Sequence, residues 1–180
     1  MQRLGREELL AQYAQGEREF ESRNLEEVDL FEAVLPGINL CQSCLDRAYL
    51  PYANLSQSNL RSSQMQGAEL SNAQLYQADL SQANLQKVNL SRADLCFADL
   101  RGADLSEANL QGANLYQADL SHANLTNADL SRANLKQANL AGANLSSTNL
   151  FRATDANWSE AHVDRTTTYP DGHRKSREEA

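Results

Sequence analysis

The chain has 180 residues, of which 41% are hydrophobic, and it carries a formal net charge of −8. That length suffices for one domain with a hydrophobic core, and the acidic balance argues against a nucleic-acid partner, which would require a basic surface. No apolar run approaches the roughly 18 residues of a membrane span, and the first residues lack the apolar core of a secretory signal. We therefore expect a cytoplasmic protein that binds neither nucleic acid nor membrane.

The first predicted element is a short helix near the N-terminus. The segment REELLAQYAQGE places Leu9, Leu10 and Tyr13 at helical spacing, and Gly16 stands where a glycine commonly follows a helix. We assign residues 1–19 to this helix and its lead-in. The helix is expected to cap the structure that follows, because the end of a stacked β-structure exposes apolar side chains and unpaired backbone groups.

The central part of the chain, residues 20–150, repeats every five residues. Every fifth position from Leu25 to Leu150 is leucine except Met65, which gives 25 leucines in 26 repeats. A helix would rotate successive leucines by roughly 500° and scatter them around its surface, and a flat strand would place them alternately on opposite faces. Both problems disappear if the chain turns after each repeat, so that four repeats complete one square coil and all leucines point to one axis.

Three other positions of the repeat support this square coil. The residue two before each leucine shares its inward direction and is alanine in 18 of 26 repeats. The two residues after each leucine form the corner, where all five glycines of the array occupy the second position and Pro36 and Pro51 the first. This preference is typical of type II turns, whose second central residue has a positive φ. The residue before each leucine is Asn or Asp in 20 of 26 repeats, and it points outward, where amides can form ladders between coils.

The register of the repeat breaks after Leu150. The segment ANWSEAHV resumes the pattern three residues out of phase, with Trp158 and Val163 in leucine positions. We therefore assign residues 151–165 to a bulged final coil that closes the far end of the array. The tail of residues 166–180 is polar and is predicted to be mobile.

The stretches ADLSEANLQGANL and ANLTNADLSRANL match the A(N/D)LXX motif of the pentapeptide-repeat family residue for residue. The sequence resembles this family over roughly 130 residues, which is a specific signal for the fold. The resemblance implies an all-β fold, a right-handed quadrilateral β-helix, here with a short N-terminal capping α-helix. Early repeats depart from the motif at Val34, Cys44 and Tyr49. The family has many functions, so the resemblance alone assigns none.

Catalysis is not expected from such a fold. A tube filled with leucine and alanine has no room for a pocket, and the three histidines lack partners at the spacing of a metal site or a catalytic triad. Cys41 and Cys44 form a C-x-x-C motif, but they lie on the surface of early coils without the strand and helix of a redox pair. We predict no catalytic residue, no cofactor and no metal.

Two functions remain open. The first is a rigid scaffold, a monomer or an end-to-end dimer, that presents side-chain ladders to a protein partner. The second comes from the resemblance, because some family members are similar to duplex DNA in width and charge and inhibit or protect a type II topoisomerase such as gyrase. Between residues 51 and 150 there are eight acids and six bases, a net charge of only −2. This weak excess favours the scaffold over the DNA mimic.

A stripe at twenty-residue spacing is the candidate partner-binding face. LYQADL occurs at 75–80 and 115–120, and LCFADL stands between them at 95–100. Because twenty residues make one coil, the tyrosines and the cysteine are expected to stack in one column, beside a column of Phe and Gln and an edge of Asp. Such a stripe either stabilises the sheet or forms the centre of a binding site. Its residues are Tyr76, Gln77, Asp79, Cys96, Phe97, Asp99, Tyr116, Gln117 and Asp119.

Overall fold

The computed structural model describes residues 1–155 and 157–174, and its main body is a β-helix of stacked coils. Every inter-coil bridge, from Glu19 with Asn39 to Asn134 with Thr154, is parallel and joins residues that are twenty apart. Four five-residue repeats therefore complete each coil. The predicted quadrilateral β-helix is confirmed.

Each corner of the coil is a tight turn with a hydrogen bond across it. The backbone N–H of Ala98, for example, donates to the carbonyl of Leu95 three residues earlier at 3.0 Å. The second corner residue has a φ between 54° and 70° from Ser22 to Arg152, whether or not it is glycine. The positive φ predicted from the few glycines is thus a property of every corner, including that of Phe97.

Where the outward residue before a leucine is Asn or Asp, it stabilises its own corner, and several of the asparagines also connect neighbouring coils. Its side-chain oxygen accepts a hydrogen bond from the backbone N–H two residues later, as Asn124 does from Thr126 at 3.2 Å. An asparagine also donates to the same position of the preceding coil, as Asn134 Nδ2 does to Asn114 Oδ1 at 2.9 Å. Asn and Asp suit this position because their short side chains reach their own backbone.

The leucine positions form the core. From Leu25 to Leu150 they are at most 2% exposed, and Met65 is fully buried among them. Three of the hydroxyl residues at alanine positions donate to backbone carbonyls, as Thr148 does to Leu125 at 2.7 Å, whereas the buried hydroxyl of Ser58 has no partner among the described residues. Such a bond compensates for burying the polar group. The interior is therefore a packed core along the described coils.

The N-terminal end is closed by three short elements. β1 (Gln2–Arg3) pairs in parallel with β2 (Arg23–Asn24), and α1 (Arg6–Ala14) lies between them in the chain. Leu9 of α1 is fully buried in the core, and Gly16 follows the helix with a φ of 99°. The predicted capping helix is therefore present and covers the first coil.

The last coil is irregular. Asn144 pairs with His162 and Asn149 with Thr168, so the offset falls from twenty residues to 18 and then 19. Trp158 packs against the core while remaining partly exposed, and its ring lies 5.7 Å from that of Tyr169.

Residues 166–174, part of the tail predicted to be mobile, continue the last coil, since Thr168 pairs with Asn149. Thr167 is fully buried and its hydroxyl donates to the carbonyl of Leu145 at 2.7 Å. A threonine can replace alanine at an inward position when its hydroxyl finds an acceptor. Residues 175–180 lie outside the described residues.

The four sides are named for the outward residue that each carries in the coil of residues 80–99: side A has Asn84, side B Asn89, side C Asp94 and side D Asp99. A corner is named for the two sides that it joins. Corner BC includes residues 91 and 92, and corner CD includes residues 96 and 97.

Candidate partner-binding face

Three aromatic rings on consecutive coils form a contiguous ladder on corner CD. The ring of Phe97 lies between those of Tyr76 and Tyr116, at centroid distances of 5.7 and 5.6 Å and interplanar angles of 78° and 89°. Phe97 is 42% exposed and Tyr76 is 38% exposed, while Tyr116 is half-buried. The expected column of Tyr76, Cys96 and Tyr116 is therefore completed by the phenylalanine of the next column, whose ring takes the space above the small cysteine.

Cys96 is a poor nucleophile in this setting. It is half-buried, and its backbone N–H donates to the carboxylate of Asp94 at 3.2 Å. Burial and the neighbouring Asp94 carboxylate raise the pKa of the Cys96 thiol to about 11. The group is therefore protonated at neutral pH, whereas reactive cysteines have lowered pKa values. Cys41 and Cys44 are both free thiols and are partly exposed.

Glutamines frame the exposed ring of Phe97. Gln57 donates to Gln77 at 3.1 Å on one side, and Gln117 donates to Gln137 at 2.9 Å on the other. Phe97 interrupts this amide ladder at its middle position. The side-chain amides of Gln77 and Gln117 therefore pair away from the ring.

The three aspartates lie around the corner on side D, where they stack in register on consecutive coils. Asp79 pairs by a parallel bridge with Asp99, and Asp99 with Asp119. Aspartates cannot donate to one another as asparagines do, so each carboxylate finds a different donor. Ser81 donates to Asp79 at 2.6 Å, Asn139 donates to Asp119 at 3.0 Å, and Arg101 Nε donates to Asp99 at 2.8 Å.

Arg101 is a residue that the sequence analysis missed. Its hydrogen bonds to Asp99 lower the pKa of that carboxyl, and the neighbouring positive charge acts in the same direction. Arg101 thus offsets part of the negative charge of the predicted acidic edge. The spacing contained the signal. Arg101 stands two residues after Asp99, and the residue at that spacing donates its backbone N–H to the outward carboxylate, which places its side chain beside the same group.

A second exposed aromatic cluster, near the N-terminal end, was also missed. The ring of Phe31 stacks on that of Tyr49 at 6.1 Å and meets that of Tyr52 edge-on at 6.0 Å. All three residues are exposed. Tyr49 and Tyr52 stand 18 and 21 residues after Phe31, so a search for recurrence at twenty residues does not detect them.

Two further properties concern the described residues alone. Among residues 1–155 and 157–174, no group of three or more His, Cys, Asp or Glu side chains is placed to hold a metal ion. No helix in that part of the chain is long and apolar enough to cross a membrane.

The coil geometry, the corner turns and the leucine core together define the class of this protein, a β-helical solenoid of five-residue repeats. A model of pentapeptide repeats matches the chain in eight copies, over residues 24–61, 45–75, 73–112, 89–127 and 113–152. These matches cover well over half of the chain. The chain belongs to the pentapeptide-repeat family.

Solved structures of this family are similar to the chain. HetL, a pentapeptide repeat protein involved in heterocyst differentiation regulation in the cyanobacterium Nostoc sp. strain PCC 7120, is 29% identical over 96% of this chain and all of its own, with a TM-score of 0.36. A trypsin-treated form of QnrB1, a plasmid-mediated fluoroquinolone resistance protein, is 16% identical over 81% of this chain and 79% of its own, with a TM-score of 0.55. The likeness to QnrB1 shows the fold alone. No curated protein matches the sequence.

Proposed function

We propose that the chain is a non-enzymatic scaffold that binds a protein partner through corner CD, with Phe97 at the centre of the contact. The observation that carries this proposal is the exposed ladder of three rings on a polar rod. Because the rings already hold one another in edge-on contacts, a partner would lose little side-chain entropy in ordering them. Aromatic residues of this kind are enriched in binding hot spots.

The recess beside the side D aspartates lacks the groups of an activated nucleophile. A shallow recess of about 250 Å³ on corner DA is lined by Arg61, Asp79, Ser81, Gln82 and Arg101. Ser81 donates to the Asp79 carboxylate, which is a weaker base than imidazole, and no histidine is among the lining residues, so the recess lacks the His-activated nucleophile of a catalytic triad. Arg101 already donates to Asp99 on side D. This recess therefore does not resemble an active site.

The proposal is tested by removing the rings and measuring partner recovery and stability separately. The test variant carries Tyr76→Ser, Phe97→Ser and Tyr116→Ser, and partners are captured from the native cells by cross-linking. We expect partner recovery to fall by about 30-fold, which corresponds to the roughly 2 kcal/mol of a hot spot. The melting temperature should fall by only a few degrees, because exposed ring contacts contribute about 0.5–1.5 kcal/mol each.

The matched control changes three residues on the same coils at corner AB, and these are Gln66→Ser, Gln86→Ser and Glu107→Ser. This variant should keep its partner. A large loss of melting temperature in the ring variant with undiminished partner recovery would show that the ladder is structural and would refute the proposal.

A second candidate function is that of a DNA mimic that inhibits or protects gyrase, and it would use side D. The supporting observation is the in-register column of Asp79, Asp99 and Asp119, which places like charges on three consecutive coils. A gyrase supercoiling assay with added protein tests it. Inhibition at micromolar concentration that is lost with Asp79→Asn and Asp119→Asn, but kept with Phe97→Ser, would assign the function to side D instead of corner CD.

A further inference from the structure

The aromatic residues of the corners are concentrated around one side of the β-helix. Within residues 21–152, corners AB and DA carry no Phe, Tyr or Trp. Every aromatic corner residue lies on corner BC or corner CD, the two that border side C. They are Phe31, Tyr52, Tyr76, Phe97, Tyr116 and Phe151. The first five lie on five consecutive coils, one on each, so they form a band across side C.

The basic residues of the corners separate in a corresponding way. Around side A, Arg47 pairs with Glu27 at 3.0 Å, Lys87 pairs with Glu107 at 3.7 Å, and Arg101 pairs with Asp99 of side D. Within the described part of the chain, Arg61 is then the one base of these corners, among arginine and lysine, that has no ion pair. Around side C, the situation is reversed. Among the described residues, none of its four exposed bases lies within ion-pair distance of a carboxylate, and these are Arg92, Arg132, Lys136 and Arg152.

Side C is therefore a locally positive surface on an acidic protein. Its outward residues and its two corners, from residue 31 to residue 154, contain four bases and two acids, a net charge of +2, whereas the chain carries −8. The acids are Glu32 and Asp94. The Asp94 carboxylate already accepts hydrogen bonds from Asn114 Nδ2 at 3.3 Å and from the backbone of Cys96 at 3.2 Å.

The middle of side C is uncharged on both sides of Asp94. The amides of Asn134 and Asn114 form a ladder that ends on the Asp94 carboxylate. The band of rings from the first to the fifth coil covers four intervals of strand spacing, about 19 Å along the axis. An α-helix of about 13 residues has the same length.

We propose that side C, with corners BC and CD, is the docking face and that its occupant is an acidic amphipathic segment of a partner protein. Apolar side chains of that segment would pack on the rings, and its carboxylates would pair with the unpaired bases of corners BC and CD. This inference rests on the proposed scaffold function. It deepens that function by extending the contact from corner CD across side C to corner BC and by fixing the sign of the partner's charge.

The test compares three labelled probes with the full chain. Two are 15-residue amphipathic peptides with Leu and Trp on one face and either Glu or Lys on the other, and the third is a 15-nucleotide single-stranded DNA. Because the whole chain is acidic, long-range attraction favours the Lys peptide. Preference for the Glu peptide can therefore arise only from a local basic surface. We expect the Glu peptide to bind at least about tenfold more tightly than the Lys peptide, with an affinity that falls as salt rises.

Two variants with equal changes in net charge locate the contact. The side C variant carries Arg92→Gln, Arg132→Gln and Lys136→Gln, and the control carries Arg47→Gln, Arg61→Gln and Lys87→Gln. The side C variant should lose at least about tenfold in affinity for the Glu peptide, and the control less than about twofold.

Tighter binding of the Lys peptide or of the DNA, no binding of the Glu peptide, or equal losses in both variants would overturn the inference. Capture of the native partner by the ring variant and by the two charge variants distinguishes failure of this inference from failure of the scaffold proposal. If the ring variant loses that partner while both charge variants keep it, the scaffold proposal stands and the acidic partner does not.

Discussion

Side A and side C lie opposite each other and share one backbone, one corner geometry and one leucine core. Their surfaces nevertheless differ in two respects. Side A is bordered by corners without aromatic residues, and most of its bases are held in ion pairs. Side C is bordered by six aromatic residues and four unpaired bases within the described chain. Since both sides are built from the same repeat, the fold does not require this difference, and the proposed docking face on side C would account for it.

The largest expected effect is on stability, from substitutions in the leucine core that the two sides share. Leu105 on side A and Leu115 on side C are both fully buried. Replacing either with Asp would bury an unpaired charge, so Leu105→Asp and Leu115→Asp should each lower the free energy of unfolding by about 4 kcal/mol or more. Urea denaturation measures the loss, with Leu105→Met and Leu115→Met as controls.

The two aspartate variants should agree within about 1 kcal/mol, because the core is equivalent on both sides. A variant that melts within a few degrees of the wild type would show that its leucine does not point inward. A large difference between the two would show that the sides differ in the core as well as on the surface.

Replacing an ion-paired base should lower the melting temperature by a smaller amount, and replacing an unpaired base should leave it unchanged. Arg101 on corner DA holds Asp99, and Arg132 on corner BC holds no carboxylate among the described residues. The hydrogen bonds from Arg101 lower the pKa of Asp99. A carboxyl with a lowered pKa stabilises the folded state above its usual pKa, and this stabilisation is lost as the pH falls through the lowered value.

Arg101→Gln should therefore melt below the wild type at pH 7, and the difference should vanish in acid, where Asp99 is protonated in both proteins. Arg132→Gln should melt like the wild type at both pH values. Thermal unfolding followed by circular dichroism measures these shifts. An equal loss for Arg132→Gln at pH 7 would mean that the bases around side C are not free for a partner.

The sequence predicted the array because each of its constraints recurs in every repeat. Leucine fixes the axis, alanine the narrow inward position, and glycine and proline the corner, so an exception such as Met65 does not weaken the pattern. The break after Leu150 was also recognisable, since Trp158 and Val163 restore the motif in a new register. Thr167 was not, because nothing in a lone threonine shows that it will donate to a carbonyl of the coil below.

The candidate site was predictable only where it followed the period. Tyr76 and Tyr116 stand two coils apart in register, and the spacing revealed them. Contacts between a corner of one coil and a different position of the next are governed by side-chain length and rotamer. Phe31 therefore meets Tyr49 and Tyr52 at offsets that no single period gives. The contrast between sides A and C emerged only once each residue could be assigned to a side.

The smallest expected effect comes from replacing corner residues with glycine, which tests whether the corners around sides A and C carry the same backbone strain. Ser62 on corner DA has a φ of 55° and Asn72 on corner BC has a φ of 57°. Neither side chain hydrogen-bonds to another described residue. Residues other than glycine are unfavourable at such angles, and asparagine is the most tolerant of them.

Ser62→Gly should therefore stabilise the fold by about 0.5–1 kcal/mol, and Asn72→Gly by less. Ser71→Gly, at the first corner position where φ is not positive, is the control and should destabilise slightly. Chemical denaturation resolves these differences, and a gain at Asn72 larger than at Ser62 would mean that corner BC is the more strained, so that the contrast between the sides would extend to the backbone.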